Sequence, residues 1–260
     1  QPIFATSDAN SFMGNLLSVD VDLDYRVDSL YGGTIMCNTA AAVCDTGSAV
    51  PATAPKWKGT MYRLTTRNCV ATGTAECDSS TWGGVAPVLN KPTALVSTFS
   101  CTSPCTGATL VGPISAQPSV TKDDSNMVWV FFGTGRYFDT IDKTNTDIQH
   151  FIGIKDPVLS VNCAENTATN CERSDLLNVT NAAVCIVCTG NEVTGVTGVT
   201  TFAGLIDKIK GNTPALAMDG WYMAMAAGER VVTPTTVVAG LVFFPSFTPV
   251  SDMCSDSGNS

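Results

Sequence analysis

The sequence predicts an all-β protein, either a β-propeller or a β-sandwich. The 260 residues include 22 glycines, much threonine and valine, and only 14% charged side chains, which is typical of β-rich exported chains. Short alternating or apolar runs recur between turn residues, and helical periodicity is nearly absent. Many short strands at fairly even spacing favour these two architectures. The length suffices for one large all-β domain or two smaller ones.

The first half of the chain alternates strand patterns with cysteine-rich insertions. The insertions cover residues 37–55 and 68–90, and a short loop of a size suited to a disulfide is predicted at Cys101–Thr109. The strand patterns alternate with period two or are briefly apolar. In order they are Ile3–Thr6, Met13–Asp20, Ser29–Met36, Trp57–Thr66 and Ala94–Phe99.

The second half contains the most apolar run of the chain, Met127–Phe132, which we expect to be buried on both faces and to end at Gly133-Thr134-Gly135. Residues 160–211 are polar and poorly periodic, apart from one predicted helix, Phe202–Lys210, with an apolar face. The remaining predicted strands are Gln117–Thr121, Phe151–Ile154, Glu229–Thr233 and Thr236–Phe244, with Pro234 and Gly240 at the last turns.

Eleven cysteines indicate an oxidising compartment. Their short spacings inside predicted loops favour five local disulfides, with Cys254 left free or bonded to another chain. Zinc is the alternative for Cys185-Ile-Val-Cys188, although no second such pair accompanies it. The predicted pairs are Cys37/Cys44, Cys69/Cys77, Cys101/Cys105, Cys163/Cys171 and Cys185/Cys188.

An acidic segment at residues 20–28 predicts a calcium site. Its carboxylates occupy positions 1, 3, 5 and 9 of a calcium-binding loop, and Arg26 at position 7 would contribute its backbone carbonyl. Oxygen ligands favour calcium over zinc. The segment departs from the usual loop at two positions. Position 6, which is usually glycine, is Tyr25, and position 12, which is usually a bidentate glutamate, is Tyr31. A solvated strand is the alternative, because the residues also alternate with period two. The carboxylate ligands are Asp20, Asp22, Asp24 and Asp28.

Other candidate sites are weaker on chemical grounds. His150 is the only histidine, so a His-based triad has one candidate, and its position at a strand start favours a structural role. Asp45-Thr46-Gly47 has no second copy, which an aspartic protease needs. The irregularly spaced Asp139, Asp142 and Asp147 offer a second candidate cation site.

Charge and hydropathy exclude several partners. Lysine and arginine total 14 against 23 aspartates and glutamates, a formal net charge of -9, so the chain repels nucleic acid and anionic membranes. No run of about 18 apolar residues is present, so no membrane span is predicted. The start lacks the features of a signal peptide although the cysteines indicate export, so a processed piece of a longer precursor is expected.

Three blocks of sequence resemble a known family. Gly14–Asp20, the acidic segment and Leu30–Thr34 are similar to its strand, calcium loop and strand. Trp129–Phe138 followed by Gln149–Asp156 is similar to its most recognisable stretch. The third block resembles its C-terminal signature and comprises Gly220-Trp-Tyr, Gly228–Thr233, Val242–Phe244 and Pro249–Cys254. The family is PilY, which comprises tip-located biogenesis factors and adhesins of bacterial type IV pili.

The resemblance implies a partial, modified β-propeller in which residues 1–260 form a single domain. It implies no catalysis, export through the periplasm, and a place at the pilus tip beside minor pilins, facing a host or abiotic surface. It also implies calcium binding by Asp20, Asp22, Asp24, Asp28 and the carbonyl of Arg26. No Arg-Gly-Asp triplet occurs, so integrin binding is not carried over.

Two alternative functions stay open, and one further partner is expected. A quinoprotein-like propeller oxidoreductase also binds calcium, but it would require adjacent cysteines, and no Cys-Cys dipeptide occurs. A structural cell-surface protein is the other alternative. Strands for roughly four blades are found, and an open ring would expose faces such as Val128–Phe132. We therefore expect a second polypeptide, or the N-terminal part of the same precursor, to complete the fold.

Overall fold

The computed structural model describes residues 6, 8, 10–38, 57–66, 82, 92–101, 107–156, 172–185, 187–188, 191–210 and 218–250. Within these residues the chain forms β-strands, one α-helix and one short 3-10 helix, so the all-β prediction is confirmed. The propeller arrangement stays a prediction. No helix in this part of the chain is long and apolar enough to cross a membrane.

The strands are short and follow one another at close intervals. The helix α1 spans Phe202–Lys210, and the 3-10 helix spans Thr140–Thr144. In chain order the strands are β1 (Ser11–Met13), β2 (Leu17–Val19), β3 (Ser29–Cys37), β4 (Trp57–Lys58), β5 (Met61–Thr65), β6 (Thr93–Val96), β7 (Thr98–Cys101), β8 (Gly107–Leu110), β9 (Ser119–Lys122), β10 (Val128–Gly133), β11 (His150–Asp156), β12 (Leu176–Asn178), β13 (Ala183–Val184), β14 (Val193–Thr194), β15 (Gly220–Ala224), β16 (Thr236–Val238) and β17 (Leu241–Phe243).

Two larger sheets organise the described residues. The first sheet follows the order β1-β3-β5-β6, and β2 and β4 also pair with β3, so β3 is its central strand. The second sheet has the order β12-β15-β11-β10-β9 and is antiparallel except for the parallel β12–β15 pair. Three two-stranded sheets, β7–β8, β13–β14 and β16–β17, complete the set within these residues.

A single hydrophobic cluster joins the two larger sheets. It contains Tyr31 and Met61 from the first sheet and Val130, Ile152 and Tyr222 from the second. The opposite face of the second sheet packs in another cluster, which includes Phe131 and Phe151 and is covered by the β16–β17 hairpin. All six residues of β10 are therefore buried, as its continuous apolar sequence predicts.

A buried ion pair crosses between the two sheets. Arg63 on β5 and Asp156 on β11 are both about 1% exposed, and the guanidinium Nη1 donates to Oδ1 of the carboxylate. The phenol of Tyr31 on β3 donates to the other oxygen, Oδ2, at 2.8 Å. Burial and the neighbouring Asp156 carboxylate raise the pKa of the Tyr31 phenol well above its usual range. This triad links the central strand of the first sheet to the second sheet.

Close backbone approaches split two predicted strands. The pattern at Trp57–Thr66 becomes β4 and β5, because Gly59 lies against the carbonyl oxygens of Thr34 and Gly112, where no side chain fits. The pattern at Ala94–Phe99 becomes β6 and β7, which belong to different sheets. The change of partner occurs at Ser97, whose carbonyl accepts from Val111 N at 2.9 Å.

The predicted loop at Cys101–Thr109 is shorter than expected, and the predicted strand at Met13–Asp20 is divided. Residues on either side of 102–106 form the β7–β8 hairpin, in which Cys101 pairs with Gly107. Met13–Asp20 contains the end of β1 and all of β2, separated where Gly14 lies against backbone atoms of Ile114 and Ser115. The predicted strand at Ile3–Thr6 lies outside the described residues except for Thr6.

The C-terminal strand predictions also need correction. Glu229–Thr233 is not a strand, since Arg230 pairs with Phe247 only in an isolated bridge. Thr236–Phe244 is not one strand but the β16–β17 hairpin, which turns at Ala239 and at the predicted turn residue Gly240, both with positive φ. The sequence pattern also missed β15, although this strand pairs with both β12 and β11 inside the second sheet.

The expected exposure of Val128–Phe132 is wrong. These residues are at most 7% exposed, because the chain itself covers both faces of β10. Of the sheets formed by the described residues, only two contain four or more strands, fewer than the roughly four blades expected. The expected exposure of these residues therefore no longer supports a second polypeptide, which stays a prediction.

The buried triad generates a stability prediction. Arg63→Met leaves the Asp156 carboxylate buried without its cation, so we expect the free energy of unfolding to fall by about 3–5 kcal/mol in urea denaturation with the disulfides intact. The double variant Arg63→Met/Asp156→Asn keeps an acceptor for the Tyr31 phenol and removes the buried charge. We expect it to recover at least half of the loss. Additive losses in the double variant would contradict this account of the pair.

Candidate metal site

The acidic segment forms a nine-residue hairpin loop between β2 and β3. Val19 and Ser29 pair at its base, and the amide of Asp28 donates to the Val19 carbonyl at 2.8 Å. On the β5 side, Thr66 N donates to the Asp28 carbonyl at 2.8 Å, and the Thr66 hydroxyl donates to the Val27 carbonyl. Both ends of the loop are therefore held by the first sheet.

The carboxylate of Asp20, at position 1, folds the loop around itself. Its Oδ1 accepts from the amides of Leu23 at 2.6 Å and Asp24 at 3.3 Å, and its Oδ2 accepts from the amide of Tyr25 at 2.7 Å. A carboxylate that accepts three backbone N–H groups is fixed in orientation. These three hydrogen bonds hold the backbone of residues 23–25 close to the Asp20 carboxylate.

Asp28, at position 9, has a similar role from the other end. This side chain is only 5% exposed, and its Oδ2 accepts from the amides of Val21 at 2.6 Å and Asp22 at 3.3 Å. The two ends of the loop are thus connected through a carboxylate at each end. The sequence alone supplied the residue types but not these bonds.

Three carboxylates converge inside the loop. Asp20, Asp22 and Asp28 each place one oxygen so that all three oxygens lie within 4.8 Å of one another. Oxygens that bind one calcium ion at 2.3–2.6 Å are separated by at most about 4.6–5.2 Å. The spacing of the three oxygens is therefore compatible with ligation of one calcium ion.

The two unusual residues of the loop have different consequences. Tyr25 adopts φ 70°, the left-handed conformation that position 6 requires, so the turn forms without glycine. Its side chain is 99% exposed, which avoids steric conflict within the loop. Tyr31, at position 12, is fully buried and its hydroxyl donates to Asp156, so it supplies no ligand.

The remaining predicted ligands stand apart from this group. Asp24 does not belong to the group of three, and its Oδ1 accepts from the amide of Arg26 at 3.0 Å. Calcium ligation by all five predicted residues, including Asp24 and the Arg26 carbonyl, stays a prediction. The structure thus brings together three of the four carboxylates that the sequence predicted.

The second candidate cation site is not formed. Asp142 is buried against Arg136, whose Nε lies 2.8 Å from Oδ1, and its other oxygen accepts from two backbone amides. Asp139 caps the 3-10 helix, and Asp147 lies beyond that helix next to Asn145. The three carboxylates form no metal-binding group in the described part of the chain.

The cysteines that are described are oxidised. Cys185 and Cys188 form a disulfide, so the predicted local pair is confirmed and the zinc alternative for this pair is wrong. Cys37 and Cys101 are also disulfide-bonded. Cys44 and Cys105, the predicted partners of these two residues, lie outside the described residues. So do the predicted pairs Cys69/Cys77 and Cys163/Cys171, as well as Cys254 and Asp45-Thr46-Gly47.

His150 lies in the core and not at a surface site. It is 2% exposed between the rings of Phe99 and Tyr222, whose centroids lie 5.1 and 5.8 Å away. Among the described residues, neither ring nitrogen has a hydrogen-bond partner. Burial lowers the pKa of His150 to about 4. These surroundings fit the structural role that its position in the sequence favoured.

The residues of the buried triad were not identified from the sequence. The available signal was Arg63, which stands at an inward position of the alternating strand that became β5. A charged residue on the apolar face of a strand indicates a buried partner of opposite charge. The sequence does not identify that partner as Asp156, because the two residues are far apart along the chain.

Comparison with known proteins gives one structural similarity. No family model matches the chain, and no curated protein matches it. The structure is similar to the crystal structure of the Pseudomonas aeruginosa PilY1 C-terminal domain, with a TM-score of 0.48 and 14% sequence identity. The similarity covers 95% of this chain and 47% of that chain, so this chain spans about half the length of the solved domain.

His150 generates a pH prediction. Its folded-state pKa of about 4 lies below the ordinary value near 6.5, so the unfolded chain binds the extra proton first as pH falls. Stability from the neutral imidazole is complete above about pH 6.5 and is lost between pH 6.5 and 4, by about 3 kcal/mol in total. We expect His150→Leu to lose less stability than the wild type across this window. Parallel stability curves for the two proteins would contradict the assignment.

Proposed function

We propose that this chain is a calcium-binding, non-catalytic component of type IV pili that acts in adhesion or pilus biogenesis at the filament tip. The observation that carries the proposal is the convergence of three carboxylate oxygens within 4.8 Å in the loop between β2 and β3. The pilus part of the proposal rests on the three blocks of sequence that resemble the PilY family.

Calcium is the cation that best suits the donor set. All the side-chain ligands are carboxylates, which favour hard cations, and the loop contains no histidine or cysteine. Magnesium demands a near-ideal octahedron at about 2.0–2.1 Å, which a loop anchored at both ends reaches less readily than the looser calcium shell. A bound calcium would supply positive charge that offsets the repulsion among the carboxylates.

The attachment of the loop to the sheet supports a structural role for the ion. The loop leads directly into β3, the central strand, and Thr66 on the β5 side donates hydrogen bonds to the carbonyls of Val27 and Asp28. Calcium would therefore stabilise the hairpin and its supporting strands together. This arrangement provides a physical route by which calcium would affect the stability of the first sheet.

The proposed location determines the proposed partners. At a pilus tip the chain would contact minor pilins on one side and a host or abiotic surface on the other. Its acidic character, with a net charge of -9, disfavours nucleic acid as a target. A second polypeptide, or the N-terminal part of the same precursor, remains part of this proposal as the completing partner.

The calcium proposal predicts a ligand-dependent melting temperature. Calcium at 100 times its dissociation constant stabilises the native state by about 2.7 kcal/mol, which corresponds to a rise in Tm of roughly 5–10 °C for a chain of this size. We expect Asp22→Asn to abolish this rise, because Asp22 is an exposed member of the converging group. Differential scanning calorimetry with calcium and with chelator measures the effect.

The matched control for this experiment is Asp124→Asn. Asp124 is a fully exposed aspartate far from the loop in sequence, and its carboxylate lies 3.9 Å from the ammonium of Lys210 in a long ion pair. Its variant should keep the full calcium response. A wild-type Tm that is the same in calcium and in chelator would refute the site.

The location is tested by immunogold labelling of native cells, in which we expect gold particles at filament tips. Uniform labelling of the cell surface would instead favour a structural cell-surface protein.

An absorption spectrum of the purified native protein addresses the enzyme alternative, because a quinone cofactor would absorb in the near-ultraviolet or visible range and the proposed function predicts no such band.

A further inference from the structure

The disulfide between Cys185 and Cys188 is accessible from solvent. Both cysteines are partly exposed, and Val187, which lies between them in sequence, is 90% exposed. The bridge joins residues only three positions apart, directly after β13, and the two Cα atoms are separated by 5.4 Å. The pair therefore combines a bond that thiols can break with a position that thiols can reach.

The hairpin around the disulfide has other interactions that hold it together. Beyond the β13–β14 register, Cys185 N donates to the Glu192 carbonyl at 2.8 Å. Asn191 N donates to the Cys188 carbonyl at 3.2 Å. Val193 of β14 is buried in a hydrophobic cluster that also contains residues of α1. A bridge between residues so close in sequence restricts the unfolded chain less than one that closes a long loop. We therefore expect the fold to survive its reduction.

Cys101 has the opposite surroundings. It is also disulfide-bonded, but it is 3% exposed and belongs to the hydrophobic cluster that joins the two larger sheets. The hydroxyl of Tyr222 donates to its Sγ at 3.4 Å. An attacking thiolate must reach a sulfur of the bond, so burial protects Cys101. Disulfides that are accessible in this way are the labile or catalytic ones, whereas protected disulfides are structural.

We propose that the Cys185–Cys188 disulfide is an exchange site that oxidises a dithiol of a partner protein. A thiolate of the partner attacks one of the two sulfurs. The bond between the cysteines breaks, and its electron pair leaves on the other sulfur, which takes a proton from water. The partner's second thiol loses its proton to water and attacks the partner's sulfur in the mixed disulfide. This step displaces the remaining cysteine as a thiolate, which is then protonated. The partner dithiol is oxidised by two electrons, and the cysteine pair is reduced by two electrons.

The short spacing of the cysteines selects a dithiol as the partner. After the first step the released cysteine lies only three positions from the mixed disulfide. It therefore attacks that bond in an intramolecular step at high effective concentration, which expels a monothiol again. A dithiol competes with this reversal, because its own second thiol completes the reduction in an equally intramolecular step.

The proposal goes beyond the proposed function, because it assigns a redox reaction to residues outside the acidic segment. Calcium binding and thiol exchange can therefore fail separately. Exchange is measured in chelator, so that the result does not depend on the calcium site.

The test is reduction of the full, oxidised chain by dithiothreitol, followed by an acid quench, alkylation and peptide mapping. We expect Cys185 and Cys188 to be alkylated at least about tenfold faster than Cys101, which serves as the internal control. Mercaptoethanol at the same thiol concentration should reduce the pair several-fold more slowly. A pair that reacts no faster than Cys101 would overturn the proposal, as would a pair that mercaptoethanol and dithiothreitol reduce equally fast.

The double variant Cys185→Ser/Cys188→Ser separates exchange from a structural role. The native chain should convert a reduced Cys-Gly-Gly-Cys peptide to its disulfide, and the double variant should not. We expect the variant to melt cooperatively, with a Tm lowered by no more than about 8 °C. Loss of cooperative melting would assign the bridge a structural role. Equal oxidation of the peptide by the variant would assign the exchange to another disulfide. Either result would overturn the proposal.

Discussion

The buried contact between Arg63, Asp156 and Tyr31 constrains both the fold and the candidate site. An ion pair removed from water is stable only when its geometry and its additional hydrogen bonds compensate for desolvation. Here the Tyr31 phenol supplies such a bond, at 2.8 Å from the carboxylate. Because the three residues come from β3, β5 and β11, the two larger sheets can shift relative to each other only by breaking this contact.

The same contact limits how the acidic loop can bind a cation. Tyr31 stands at position 12 of the loop pattern, where a calcium loop normally provides two oxygens. Its hydroxyl is directed into the core, so position 12 offers no side-chain ligand. Asp28 compensates in part, because it is buried at the base of the loop and its carboxylate is oriented by two backbone amides. The loop thus resembles a shortened calcium loop whose candidate ligands are held mainly by its own backbone.

The sequence predicted the parts of the structure that depend on local patterns. The helix at Phe202–Lys210, the strand β3 and the doubly buried β10 all follow from periodicity or a continuous apolar run. The splits at Gly59 and Ser97 could not be predicted in this way, since distant backbone segments cause them. In the site, residue types and spacing predicted the carboxylates. The left-handed conformation of Tyr25 could not be predicted in this way, since its amide donates a hydrogen bond to the Asp20 carboxylate.

The two sheets differ in how they cover their second apolar face. In the second sheet the β16–β17 hairpin packs on the outer face of β10 and β11, and the apolar run becomes fully buried. In the first sheet the corresponding face of β3 and β5 lines an apolar groove, whose floor residues Tyr62 and Leu64 are 3% and 7% exposed and beside which Met13 and Leu16 stay 40% and 52% exposed. Residues of β3 alternate between the groove and the core, so Leu30 and Gly32 flank Tyr31. A cation in the loop and the buried triad would therefore act on neighbouring residues of one strand.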